Sequence, residues 1–282
     1  MRPGARRVGD LVVILAALVA LWEGYRTLAL ATGLTWPIAV RGTGNAQQFP
    51  HVWDIVLAYG RPFRGAGQTL GAFLLGEAGY TLREVAVGFV LGAALGFGLG
   101  TLFAHSRLAE RSLMPYVVAS QTVPFLAFAP ILVVATSSVE ALPSWSGVAL
   151  LSTYLVVFPM TMSTLRGLRS SPATAEELLR SYGASASTRL WRLRVPAAVP
   201  YLLAGAKVGA TAAVVGAIVG ELSAPGAGGI GGALFDFGRV SNNAVQLFAT
   251  TLAAGALGIT AYAAVALVER AVLRRFTGGA PG

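Results

Sequence analysis

The run 166–200 holds the residues whose types and spacing are most suggestive of a task. Glu177 is followed directly by Leu178 and Leu179, Gly183 comes six residues after the glutamate, and Leu193, Val195 and Pro196 close the run. Charges of both signs and good helix formers over 173–182 predict a folded helical hairpin, not a floppy linker. Gly183 allows a sharp turn between two short helices, and Pro196 ends the second arm before the next apolar run begins. The chemistry open to such an element is recognition. Glu177 is placed to cap a local helix start or to pair with a basic group, within the hairpin or on a partner.

Other polar residues stand inside apolar runs. Gln121, Thr122, Tyr154 and Glu221 are available to line a solute path. Lys207 is expected to reach back to the membrane surface on its long stem. Arg83 and Glu84 are expected at an interface, and Glu221 either at an interface or facing water. Catalytic machinery is not expected. Lys207 follows Ala206, so there is no Gly-Lys-Ser/Thr phosphate loop. His51 and His105 lie far apart and outside the apolar runs, and the chain has no Cys, which leaves no thiolate metal site or disulfide framework. No metal ligand set and no cofactor bound by this chain is expected. No Asp or Glu is expected in the middle of a span, so a proton- or sodium-driven carrier would lack its usual groups.

These residues need a scaffold, and composition says which kind. Hydrophobic residues make up 55% of the 282 and charged residues 12%, about half the charged share of an ordinary soluble domain. Six runs reach the roughly 20 residues that cross a bilayer: 10–32, 81–104, 113–134, 146–165, 201–221 and 245–268. Pro124 and Pro130 interrupt the third and Pro159 sits in the fourth, so breaks or kinks that free carbonyls are expected there. The first run, preceded by Arg2, Arg6 and Arg7, resembles a signal peptide but reads as an ordinary start-transfer helix. With the N-terminus inside, fourteen arginines fall on inner segments and five on outer ones. That split predicts both termini in the cytoplasm, and it accounts for the net charge of +9 without nucleic acid. The segment 33–80 is then extracytoplasmic and 166–200 cytoplasmic. Gly88, Gly92, Gly96 and Gly100 recur every fourth residue, which puts them on one helix face for close packing, against the same chain or another.

The run from Glu177 through Gly183 to Leu193, Val195 and Pro196 resembles the EAA motif of the permease subunits of binding-protein-dependent ABC importers. The motif's two alanines are replaced by Leu178 and Leu179, and its Ile and Leu by Leu193 and Val195. Further stretches are similar to the nitrate/sulfonate/taurine-type subfamily: 49–53, 81–84 with Gly88 and Phe89, 121–124 with Ala127 and Pro130, Phe158-Pro159, 167–169 with Pro172, and 220–222. The resemblance covers about 45–275. Where that subfamily has Trp-Phe-Gly-x-Gly after the third span, this chain reads Ala-Thr-Ser-Ser-Val-Glu at 135–140.

The resemblance implies an all-α polytopic membrane protein of the type I ABC importer permease fold, one permease domain over 1–282, in a bacterial inner membrane. It implies a subunit that forms the translocation path and is not itself an enzyme. ATP and Mg would sit in a separate ATPase, present in two copies and docked on the coupling hairpin. The other implied partners are an extracytoplasmic solute-binding protein, a second permease copy and membrane lipid. The implied solute is a small organic anion such as a sulfonate, a nitrate-like ion, or a vitamin-precursor-like molecule. The competing reading is a stand-alone channel or ion-driven secondary carrier.

Overall fold

Long apolar runs become long helices. The computed structural model describes residues 3–32, 49–63, 67–224, 226, 228–240 and 243–276. They form α1 (Pro3–Thr32), α2 (Val52–Ala58), α3 (Leu70–His105), α4 (Arg107–Ser120), α5 (Phe125–Ser137), α6 (Ser146–Leu168), α7 (Ala173–Ser181), α8 (Ala186–Arg189), a π-helical turn (Leu190–Arg194), α9 (Val195–Leu222), α10 (Ile230–Gly238) and α11 (Ala244–Phe276). Among the described residues there is no sheet, only one isolated bridge between Pro62 and Thr69. Among the described residues five helices are long and apolar enough to cross a membrane, and the bent pair α4–α5 makes a sixth candidate.

One expected boundary needs correction. The second span begins earlier than its apolar core: α3 starts at Leu70 and runs 36 residues, about 54 Å. The third span is interrupted, as its prolines predict. α4 and α5 meet at 95°, and at 14 and 13 residues each is about 20 Å long, short of a roughly 30 Å hydrocarbon layer. Pro124 caps α5 and makes the break, whereas Pro130 and Pro159 lie inside their helices. Of the segment 33–80, residues 33–48 and 64–66 lie outside the described residues.

The chain divides into two compact units. In the first, residues 1–76 with 233–253, α1 holds the stretch after residue 48. Trp22 stacks on Phe49 at 4.0 Å and Phe248 meets Trp22 edge-on at 5.3 Å. Arg26 Nε donates to the Phe49 carbonyl at 3.0 Å, and Glu23 accepts from the Val52 amide at 3.0 Å while pairing with His51 at 2.7 Å. Phe63, Phe73 and Phe237 form a second aromatic cluster.

In the second unit, residues 77–232 with 254–282, α6 is the central helix, and glycines on two neighbours let it approach. A Cβ added at Gly92, Gly96 or Gly100 of α3 would stand 2.6, 2.5 and 2.5 Å from the Cβ atoms of Val156, Met160 and Thr164. From α9, a Cβ at Gly216 would lie 2.8 Å from Ser152 Cα and one at Gly220 3.0 Å from Val148. Both stripes therefore pack within this chain, by backbone approach rather than apolar interdigitation. Ser152 Oγ adds a hydrogen bond to the Ala213 carbonyl at 3.0 Å.

Candidate functional site

The hairpin after α6 is built by local rules. Pro172 precedes α7, where its missing N–H costs nothing. α7 ends in a Schellman motif: the Gly183 amide donates to the Arg180 carbonyl and the Ala184 amide to that of Leu179, both at 2.9 Å. The motif needs a left-handed residue, and Gly183 has φ +73°. Ser185 then caps α8, its Oγ accepting from the Thr188 amide at 3.1 Å. α8 runs through the π-helical turn into α9 without a break.

Two adjacent glutamates behave differently here. Glu177, selected by the motif spacing, is exposed. Glu176 turns inward. It accepts from Arg194 Nη2 at 2.8 Å and Nε at 3.1 Å, and Arg189 and Arg180 approach it to 3.4 and 3.9 Å. The Arg194 hydrogen bonds hold the Glu176 carboxyl below the usual carboxylate range, more than its partial burial raises it, and the three guanidinium charges add to the lowering. Leu179, Leu193, Val195 and Pro196 are half-buried along the joint, whereas Leu178 and Tyr182 are 56% and 81% exposed.

Beside the hairpin lies a cavity of about 1370 Å³ whose walls include Arg107, Arg111, Arg169, Arg180, Arg189 and Arg194. Arg169 bridges it to α4, donating from Nη1 and Nη2 to Glu110 at 2.9 and 2.5 Å. Thr122 also lines this cavity. Gln121 sits next to it at the α4–α5 break, exposed, with Nε2 3.3 Å from Ser120 Oγ. Tyr154 reaches the same break: its hydroxyl donates to the Ser120 carbonyl, and its ring meets Phe128 edge-on at 5.1 Å.

Glu221 does not join these three. It is fully buried, one residue before the end of α9. Its carboxylate accepts from Thr81 Oγ1 at 2.7 Å and from the Gly231 amide at 2.6 Å. Thr81 Oγ1 in turn accepts from the Ile230 amide at 2.9 Å, and Glu77 accepts from the Gly229 amide. Gly229 is required here: it has φ +98°, and a Cβ there would collide with the Glu221 carboxyl. Glu84 stands beside Glu221, 1% exposed, its two oxygens without a hydrogen-bond donor among the described residues. It borders a cavity of about 370 Å³ with Tyr80, Ser137, Trp145 and Ser223. Glu84, expected at an interface, is instead enclosed by the chain. Extending α3 back to Leu70 carries Glu84 into the helix body. Lys207 is not a free snorkelling side chain either, because its Nζ donates to Glu269 of α11 at 2.7 Å.

The family model described as "Binding-protein-dependent transport system inner membrane component" matches residues 88–274. The formylaminopyrimidine transport permease protein ThiX of Halalkalibacterium halodurans is 34% identical over 68% of this chain and 74% of that protein. The nitrate import permease protein NrtB of Leptolyngbya laminosa is 27% identical over 84% of this chain and 83% of its own. Among solved structures, a chain of the MetNI methionine ABC transporter in inward-facing conformations aligns with a TM-score of 0.63 at 20% identity, covering 71% of this chain and 96% of that one. That likeness gives the fold, a type I ABC importer permease.

Proposed function

This chain belongs to the binding-protein-dependent transport system inner membrane components, and from that premise we propose how it performs its part. It is a multi-pass transport subunit of an ATP-driven importer, a path for solute and not the engine. Under this reading the hairpin from α7 to the π-helical turn docks the ATPase, and ATP and Mg are held there. Two ATPase chains and two copies of this chain make the assembly, and a solute-binding protein delivers from outside. Both termini and the hairpin face the cytoplasm of a bacterial cell, in agreement with the arginine distribution. Gln121, Thr122 and Tyr154 face the path near the α4–α5 break, and Glu221 holds its outer end.

The observation that carries the docking role is Tyr182. It is 81% exposed beside Leu178 at 56%, at the tip of a hairpin that is otherwise capped and ion-paired. A rigid element that offers an aromatic ring and an aliphatic side chain to water fits a partner's pocket. The cavity beside it, rich in arginine, suits an anionic solute on its way through. We therefore favour a small organic anion, sulfonate- or nitrate-like. A vitamin-precursor-like solute is the second reading, favoured by the 34% identity to the formylaminopyrimidine permease.

A photo-crosslinking residue at position 182 tests the docking role in the assembled complex. It is expected to capture the ATPase subunit. Capture of only lipid or a second copy of this chain would refute the reading.

A further inference from the structure

We propose that Glu176 is the positioning residue of the coupling hairpin: its clasp on Arg194 fixes α7 to the first turn of α9, so that a push on the hairpin moves the membrane helix. The inference rests on the reading that the hairpin docks an ATPase, and it assigns the transmission to a glutamate outside the motif.

Three observations lead there. First, α7 has nine residues, too few to hold a direction in water without tertiary contacts. The Schellman turn at Gly183 joins it to α8 but leaves the pair free to pivot. Second, the contact that stops the pivot is a two-pronged one. Arg194 presents Nε and Nη2 to the two Glu176 oxygens at 3.1 and 2.8 Å, the fork geometry that fixes orientation as well as distance. The side chains are 20% and 12% exposed, so water competes poorly. Arg194 is the residue before Val195, where α9 begins. A force on α7 therefore enters α9 at its N-terminus.

Third, the π-helical turn has a reason. Arg189 and Arg194 are five residues apart, and in an α-helix five residues turn the side chains about 140° from each other. The wider turn over Leu190–Arg194 brings both guanidinium groups to one carboxylate, at 3.4 and 2.8 Å. Inserting such a turn is rare in helices and weakens their hydrogen bonding, and the shared carboxylate is what the geometry gains. Glu177, one position on, is rotated about 100° away and is exposed. The two neighbours divide the labour: one holds the hairpin to its own membrane helix, the other is left for the partner.

The test uses the assembled complex in lipid nanodiscs. The chain lacks cysteine, so spin labels placed at Ser181 and Tyr201, both exposed, report the α7–α9 distance. Hydrolysis of MgATP is measured with and without the cognate binding protein as it purifies. The wild type is expected to give one narrow distance. E176R should at least double the width and cut the stimulation by the binding protein fivefold or more. E176R/R194E, which restores the pair with reversed charges, should recover both. E176Q, which keeps the shape, should show the same losses more mildly if E176R fails to reach the membrane. Wild-type width and stimulation in E176R or E176Q, or no recovery in the double variant, would overturn the proposal. If the wild-type chain retains no ATPase, it is the docking reading that fails, and the label widths still decide whether the clasp holds α7.

Discussion

Tyr154 donates its hydroxyl proton to the main-chain carbonyl of Ser120. That carbonyl lies four residues before Pro124, which has no N–H to return to it. The break between α4 and α5 is thus closed by a side chain from α6, and the bend of 95° is a supported feature. Tyr154→Phe removes the donor and keeps the ring on Phe128. A partly buried carbonyl left without a partner costs about 1–3 kcal/mol, which is expected to lower the unfolding midpoint in detergent by a few degrees. An unchanged midpoint with altered transport would instead make Tyr154 a path residue only.

The glycine face of α3 has no room to spare. At Gly92 even a Cβ would sit 2.6 Å from Val156 Cβ, and at Gly96 2.5 Å from Met160 Cβ. Gly92→Leu or Gly96→Leu should force α3 from α6 at a cost of a few kcal/mol, by analogy with overpacked cores. Size-exclusion profiles of tagged protein should show loss of the monodisperse peak. Gly98, with nothing within 4 Å of an added Cβ, is the control that should tolerate the same change.

The amides of Gly229 and Gly231, at the start of α10, are held by carboxylates of the membrane helices. Thr81→Val removes the donor to Glu221 at 2.7 Å and the acceptor for the Ile230 amide at 2.9 Å. Amide hydrogen exchange at Ile230 and Gly231 should quicken by an order of magnitude or more, corresponding to about 1–2 kcal/mol of lost protection. Exchange at the wild-type rate would show that the network does not hold these amides.

The pH dependence of the hairpin follows from the direction of the Glu176 shift. Its carboxyl is held below the usual range, foremost by the Arg194 hydrogen bonds. A depressed carboxyl contributes stability that is present above its unfolded value and lost as pH falls through its folded value. The distance between labels at 181 and 201 should therefore stay narrow from neutral pH down through the ordinary carboxylate range, and broaden only below it. Broadening near neutrality would mean that another group governs the joint.

Much of this was legible beforehand, for identifiable reasons. Apolar length marks spans because a bilayer sets it, and Glu177, Gly183 and Pro196 mark the hairpin because turns and helix starts constrain residue type. Buried carboxylates were not legible. Glu84 looks interfacial as long as the second span is started at Thr81, and the helix from Leu70 shows it in the helix body, whereas the burial of Glu221 near the end of α9 comes from neighbours far away in the chain. Glu77 and Glu221 take amide donors from Gly229 and Gly231, and Thr81 Oγ1 takes that of Ile230, partners that no side-chain pattern advertises. Glu176 was hidden by its neighbour, since spacing selects a position in a motif but not which of two adjacent carboxylates faces its own chain. Lys207 reads as a snorkelling residue until Glu269, 62 positions later, is seen beside it.

In the proposed assembly this chain docks an ATPase through the turn at Gly183. The most direct measurement is the ratio of ATPase to permease recovered when tagged chain is purified from membranes, wild type against Gly183→Arg. Gly183 has φ +73° and open space around it, so arginine changes the turn and the surface it presents while clashing with nothing inside the chain; the left-handed backbone costs about 1–2 kcal/mol. The wild type should yield one ATPase chain per permease. The variant should show normal insertion with at least a tenfold loss of ATPase. Equal recovery from both, with equal hydrolysis stimulated by the binding protein, would contradict the proposed docking.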